Sequence, residues 1–102
     1  MTSSNYRRGA DAERRAVAEL RHEGWPHVTR AAGSKGPFDV LALGPGGGLC
    51  VQVKRSVSGW AAHGRALADL VVAARHLPAN VVAELWVHVP RCGFRRVPAP
   101  RE

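Results

Sequence analysis

Apolar positions along the chain change period twice, and the changes divide it into elements. Over residues 4–23, Ala12, Ala16, Val17 and Leu20, with Ala10 a turn earlier, recur at helical spacing. Arginines fill much of the remainder, which predicts a helix with one thin buried stripe. Ser3, Ser4 and Asn5 can each cap its start, and Gly24 followed by Pro26 stops it. From there the pattern suits strands: residues 25–31, then 38–43 after a Gly33-Ser34-Lys35-Gly36-Pro37 loop, then 49–55 after a glycine-rich turn at 44–48. The last two form an antiparallel hairpin. Residues 61–77 return to helical spacing through Ala62, Ala66, Leu70, Ala73, Ala74 and Leu77, and Pro78 ends the run. Residues 81–89 make a further apolar strand, and 94–97 an added edge strand before a proline-rich tail. The expected fold is therefore α/β, in the order α-β-β-β-α-β, with a central mixed sheet flanked by helices.

Composition narrows the class. With 102 residues, 45% of them hydrophobic, the chain is expected to form one domain over residues 1–102, and a dimer would add to its modest core. No apolar run approaches the roughly 18 residues of a membrane helix. Cys50 and Cys92 are far apart and show no CxxC spacing, so a reduced, cytoplasmic protein without a structural zinc site is expected. The formal charge is +7, the sequence pI about 11.0, and a polyanion such as nucleic acid is the expected partner. Nearly all the positive charge is arginine; the lysines are Lys35 and Lys54 alone.

Two polar residues interrupt the hairpin strands informatively. With the turn centred near Pro45 and Gly46, facing residues sum to about 91, so Asp39 lies opposite Gln52, and the strand period puts Lys54 on the Gln52 face. A one-residue slip would send Asp39 to the other face. An Asp within an apolar strand needs compensation. Either Asp39 pairs with Lys54, or it holds a divalent cation with Gln52 offering a carbonyl oxygen and Lys54 facing a phosphate; hard oxygen donors favour Mg²⁺. Glu13, by periodicity, is a helix-surface carboxylate beside an arginine. The five histidines show no metal-ligand spacing, which disfavours an HNH nuclease. The glycine run at 44–48 lacks a Gly-Lys-Ser/Thr ending and is a hairpin turn. Trp25 and Trp86 are assigned to packing, Trp60 to core, interface or a wedge against DNA, and Cys50 to an apolar position at the edge of the patch.

Pro37-Phe38-Asp39, a glycine-rich turn and Gln52-Val53-Lys54 resemble the PD-(D/E)XK nuclease signature. Together with Arg8-Gly9, Glu13-Arg14, Arg30 and Gly33-Ser34-Lys35, they resemble the archaeal-type Holliday junction resolvases within that restriction-endonuclease-like superfamily. The resemblance implies a Mg²⁺-dependent endonuclease, with Mn²⁺ able to substitute, that resolves four-way DNA junctions by paired symmetric nicks as a homodimer. It implies Asp39 as central metal ligand, joined by Glu13, Gln52 and the Val53 backbone carbonyl. Lys54 would stabilise the transition state or orient water, and Ser34 would position the scissile phosphate, although the loop from Ser34 to Asp39 is shorter than in archaeal members. Gln52 departs from the carboxylate usual at its position. Arg7, Arg8, Arg14, Arg15, Arg30, Lys35 and Arg55 are the candidates for DNA backbone phosphates. The rival readings are a related nuclease on linear or flapped DNA, and a DNA-binding module with a degenerate metal site.

Overall fold

The computed structural model describes residues 4–31, 36–56 and 63–100, with side chains from residue 9 onward. Its elements are α1 (Ser4–His22), β1 (His27–Arg30), β2 (Val40–Gly44), β3 (Gly47–Arg55), α2 (Gly64–Ala74), β4 (Val81–Val89) and β5 (Gly93–Pro98). The expected order holds, and the edge strand is real. All five strands form one sheet in the order β1-β2-β3-β4-β5. Only β3 and β4 run parallel, because α2 carries the chain back across the sheet between them. The other three pairs are antiparallel, so the sheet is mixed.

Strand alternation divides the core between the two helices. On one face Ala12, Ala16, Val17 and Leu20 of α1 meet Val28, Val40, Ala42, Leu49, Val51, Val53 and Trp86. On the other Leu70 and Ala74 of α2 meet Ala83, Leu85 and Val87, with Phe38, Leu77 and Val97 packed against them. The thin stripe predicted for α1 is the buried one. Predicted packing also holds for Trp86, fully buried, and for Trp25, partly buried against the same cluster.

The helix ends follow local chemistry. Gly24 takes a φ of 103°, its N–H donates to the Arg21 carbonyl, and the Trp25 N–H donates to the Leu20 carbonyl. That is the Schellman arrangement, which satisfies two terminal carbonyls and needs a residue free to adopt left-handed φ. Helix α2 ends at Ala74, earlier than the apolar spacing suggested, because residues 75–77 tighten into turns with Arg75, His76 and Leu77 each donating to the carbonyl three residues back. Residues 61 and 62 of its expected first turn lie outside the described residues.

The expected hairpin register is observed. Val40 faces Val51, Leu41 faces Cys50, and Gly44 faces Gly47, so every pair sums to 91. The turn is tighter than expected: Pro45 and Gly46 alone connect the strands, and β3 begins at Gly47. Gly47 has a φ of 149°, and a Cβ there would sit 2.0 Å from the Asn80 carbonyl oxygen, which also accepts the Gly48 N–H at 3.0 Å. The turn is thus docked onto the connection entering β4. Gly47→Ala is expected to destabilise the fold by about 2 kcal/mol or more in urea unfolding. Gly46→Ala, whose added methyl meets nothing within 4 Å, should stay within about 0.5 kcal/mol.

Candidate active site

The site forms where β2 begins and β3 ends. The 91 register places position 39 across from Gln52, but Asp39 precedes β2, and its carboxylate turns toward the strand edge. Asp39 Oδ2 accepts the Val53 backbone N–H at 2.8 Å, while the Asp39 N–H donates to the Val51 carbonyl at 2.8 Å. The side chain takes the place that a further β2 carbonyl would fill in the ladder. Asp39 thus stands one position beyond the Val40–Val51 pair, across from Gln52 at the end of the sheet, and the hydrogen bond from Val53 is the feature that the register alone did not foresee. By strand alternation the Val53 carbonyl leaves the same edge of β3 as its N–H, toward the Asp39 carboxylate.

Charges approach Asp39 from both sides. Glu13, on α1, and Arg30, at the end of β1, lie on one side, and Lys54 on the other. Burial pushes the Asp39 carboxyl above its usual range and outweighs the Val53 hydrogen bond, which favours the anion. Glu13 raises it further, whereas Lys54 and Arg30 oppose the rise. Among the described residues Asp39 and Lys54 form no ion pair, so the compensating salt bridge considered from sequence is not how this carboxylate is held.

Glu13 has the arginine partner that periodicity suggested, but from a distant element. Arg30 Nε and Nη2 both donate to Glu13 Oε1, at 3.1 and 3.0 Å. Arg30 was expected to hold a DNA phosphate; here two of its donors are committed to positioning a carboxylate, since a part-buried guanidinium facing an anion forms charge-assisted bonds. Glu13 keeps Oε2 for another partner. A pair 17 residues apart has no local sequence signal and was missed.

Gln52 supplies the most telling observation. Its Oε1 is buried and has no hydrogen-bond donor among the described residues. An unsatisfied buried carbonyl oxygen is costly, and such atoms ordinarily have a partner. Beside a carboxylate, an unpaired amide oxygen fits a hard divalent cation such as Mg²⁺, which needs few protein ligands. The fit is sparse: among the described residues no three His, Cys, Asp or Glu side chains converge as a cation site.

The other candidates divide. Arg14 pairs with Asp11 at 3.2 Å on the exposed face of α1. Arg15 and Arg55 line a cleft on the α1 side of the sheet. Ser34, Lys35 and Trp60 lie outside the described residues, as do the side chains of Arg7 and Arg8. Cys50 is buried, and its thiol is pushed up by burial, consistent with an apolar role.

Comparison with known proteins shows the fold and the family. No curated protein matches the chain. The structure of Hjc from Archaeoglobus fulgidus, a Holliday junction resolvase of an archaeal hyperthermophile, is similar with a TM-score of 0.68 and 25% identity, over 90% of this chain and 73% of that one. The similarity places the mixed five-stranded sheet and its two helices in the restriction-endonuclease-like fold. No helix among the described residues is long and apolar enough to cross a membrane. The model of the archaeal Holliday junction resolvase (Hjc) family matches residues 4–75, which span α1 through α2 and every described member of the site, and the chain belongs to that family.

Proposed function

We propose that this protein is a Mg²⁺-dependent endonuclease that resolves four-way DNA junctions by paired nicks, acting as a homodimer in the cytoplasm. The observation that carries the reading lies at the end of β3: a carboxylate fixed by the Val53 N–H, at the register position across from Gln52, whose buried carbonyl oxygen is unpaired, with the charges of Glu13 and Lys54 acting on it. A bound divalent cation would polarise the scissile phosphate and activate water for attack. Asp39, Gln52 and the Val53 carbonyl would hold it, with Glu13 contributing directly or through water. Lys54 offsets the negative charge that develops on the phosphate, and Ser34 is the candidate for positioning it. Arg30 fixes the direction of Glu13. One small domain has one such site, so two symmetric cuts call for two copies related by a two-fold axis.

A second reading has support from one residue. Gln52 carries no charge, so a module that binds junctions without cutting them is favoured by this position alone. The deciding measurement is Mg²⁺-dependent cleavage of a labelled four-way junction beside linear duplex and flap substrates of matching sequence. Paired symmetric nicks confined to the junction are expected, and Asp39→Asn or Lys54→Ala should reduce the rate at least about 100-fold. Equal cutting of all substrates would indicate a general nuclease, and tight binding without cutting a binding module. Gln52→Glu should lower the Mg²⁺ concentration for half-maximal cleavage roughly tenfold, since added ligand charge tightens a hard-cation site.

The raised Asp39 pKa also gives a pH signature. The folded state binds this proton more tightly than the unfolded chain, whose reference value is 3.8. Its stabilising contribution is therefore present below that value and is lost as pH rises through the folded pKa. Relative to Asp39→Asn, which cannot ionise and keeps an acceptor for Val53, the wild type should lose stability across that window and then run parallel to the variant. Without divalent cation, denaturant unfolding at neutral pH should find Asp39→Asn at least as stable as wild type.

A further inference from the structure

A cleft of about 420 Å³ lies on the α1 side of the sheet, lined by Asp11, Ala12 and Arg15 of α1, Arg55 of β3, His88 of β4, and Pro90 and Arg91 of the β4–β5 turn. Arg55 and His88 are register partners on adjacent parallel strands, and Arg55 follows Lys54, so the cleft adjoins the active site on the opposite face of β3. Three arginines from three elements converge there. None of the three has an ion-pair partner among the described residues. The nearby acids are already engaged: Asp11 with Arg14, and Glu19 with Arg96. The cleft therefore keeps an excess of positive charge that its own carboxylates do not neutralise.

One buried polar atom points to a missing partner, and one turn explains how a third arginine reaches the cleft. His88 Nδ1 is buried without a hydrogen-bond partner, the ring being backed by Phe94 at a centroid distance of 4.9 Å. Arg91 is the one described non-glycine residue at positive φ, 69°, and it stands between Pro90 and Cys92 in the turn that carries its side chain to the cleft. The Cys92 N–H donates to the Val89 carbonyl at 2.9 Å, so Arg91 holds the third position of a tight turn after Pro90, where positive φ is the ordinary geometry.

We propose that this cleft is a second phosphate-binding site, formed by Arg15, Arg55, His88 and Arg91, which holds a backbone phosphodiester of the junction strand next to the scissile phosphate. The inference rests on the junction-nuclease reading for its ligand, but not for the anion chemistry. Guanidinium forks suit phosphate oxygens, and three of them around an imidazole offer donors on several sides of a tetrahedral anion. Such a contact carries no sequence information; it sets the register of the strand, so that one phosphate rather than its neighbour faces Asp39. Burial, together with Arg15 and Arg55, holds the His88 imidazole below its usual pKa, against the weaker opposite pull of Glu19. An anion in the cleft would offset those arginines, which makes His88 a reporter of occupancy.

The test has three arms. Inorganic phosphate, titrated against the intact protein while the His88 ring resonances are followed by NMR across pH, should raise the His88 pKa in wild type and leave it unchanged in Arg55→Ala and Arg91→Ala. Junction binding by the Asp39→Asn protein should weaken about three- to tenfold on adding either substitution, and the slope of log affinity against log salt should fall by about 1. Arg75→Ala, at the far end of α2, should leave slope and affinity nearly unchanged. A His88 resonance indifferent to phosphate, or a salt slope untouched by Arg55→Ala and Arg91→Ala in folded protein, overturns the proposal. Mn²⁺ calorimetry is the separate arm: binding that survives Arg55→Ala but not Asp39→Asn keeps the two sites distinct. Absent Mn²⁺ binding in wild type would sink the metal-site reading while leaving the phosphate titration to decide the cleft.

Discussion

The register of β2 on β3 is the constraint on which the site depends. Pro45 and Gly46 leave room for only one pairing, and docking of the turn against the Asn80 carbonyl holds it in place. From that register follows which backbone N–H lies beyond the last paired residue of β2, and it is that N–H, on Val53, which fixes the Asp39 carboxylate. A slip by one residue would exchange the faces of the apolar set Val40, Ala42, Val51 and Val53, so core packing against α1 and positioning of the site are enforced by the same interdigitation.

The site is costly to the fold, and its surroundings share that cost. Asp39 is desolvated and repelled by Glu13, and Gln52 leaves a buried acceptor unpaired. Arg30 and Lys54 offset part of the charge without sealing it, since neither forms an ion pair with Asp39. Arrangements of this kind are expected where a fold must remain complementary to something it does not itself contain, which in the function proposed above is a divalent cation and a phosphate.

Helix α1 mediates between the two faces of that problem. Its apolar stripe anchors it across the sheet, and Glu19 and Glu23 secure its C-terminal half to Arg96 of β5. Arg96 in turn lies over the Trp86 ring at 3.9 Å, and the Trp86 indole donates to Glu84. The helix is held at its far end by charge and along its length by packing, which leaves Glu13 and Arg15 at its near end placed on either side of the end of β3.

Much of this was legible in the amino-acid sequence. Periodicity located α1, its stop at Gly24, the hairpin and β4, because each is set by contacts within a few residues or by an uninterrupted alternation. Asp39 within an apolar stretch marked the chemistry, since a charge there demands a reason, and the 91 pairing followed from the turn. The sequence did not reveal that Asp39 would leave the strand and accept a backbone N–H, that Arg30 would be claimed by Glu13, or that His88 and Arg91 would join Arg15 and Arg55 around one cleft. Those relations join residues from different elements, up to 76 positions apart between Arg15 and Arg91. Local pattern decides which face of an element is apolar; which charges meet at its ends is decided only when the sheet closes and the helices pack, because separation in space is then independent of separation along the chain.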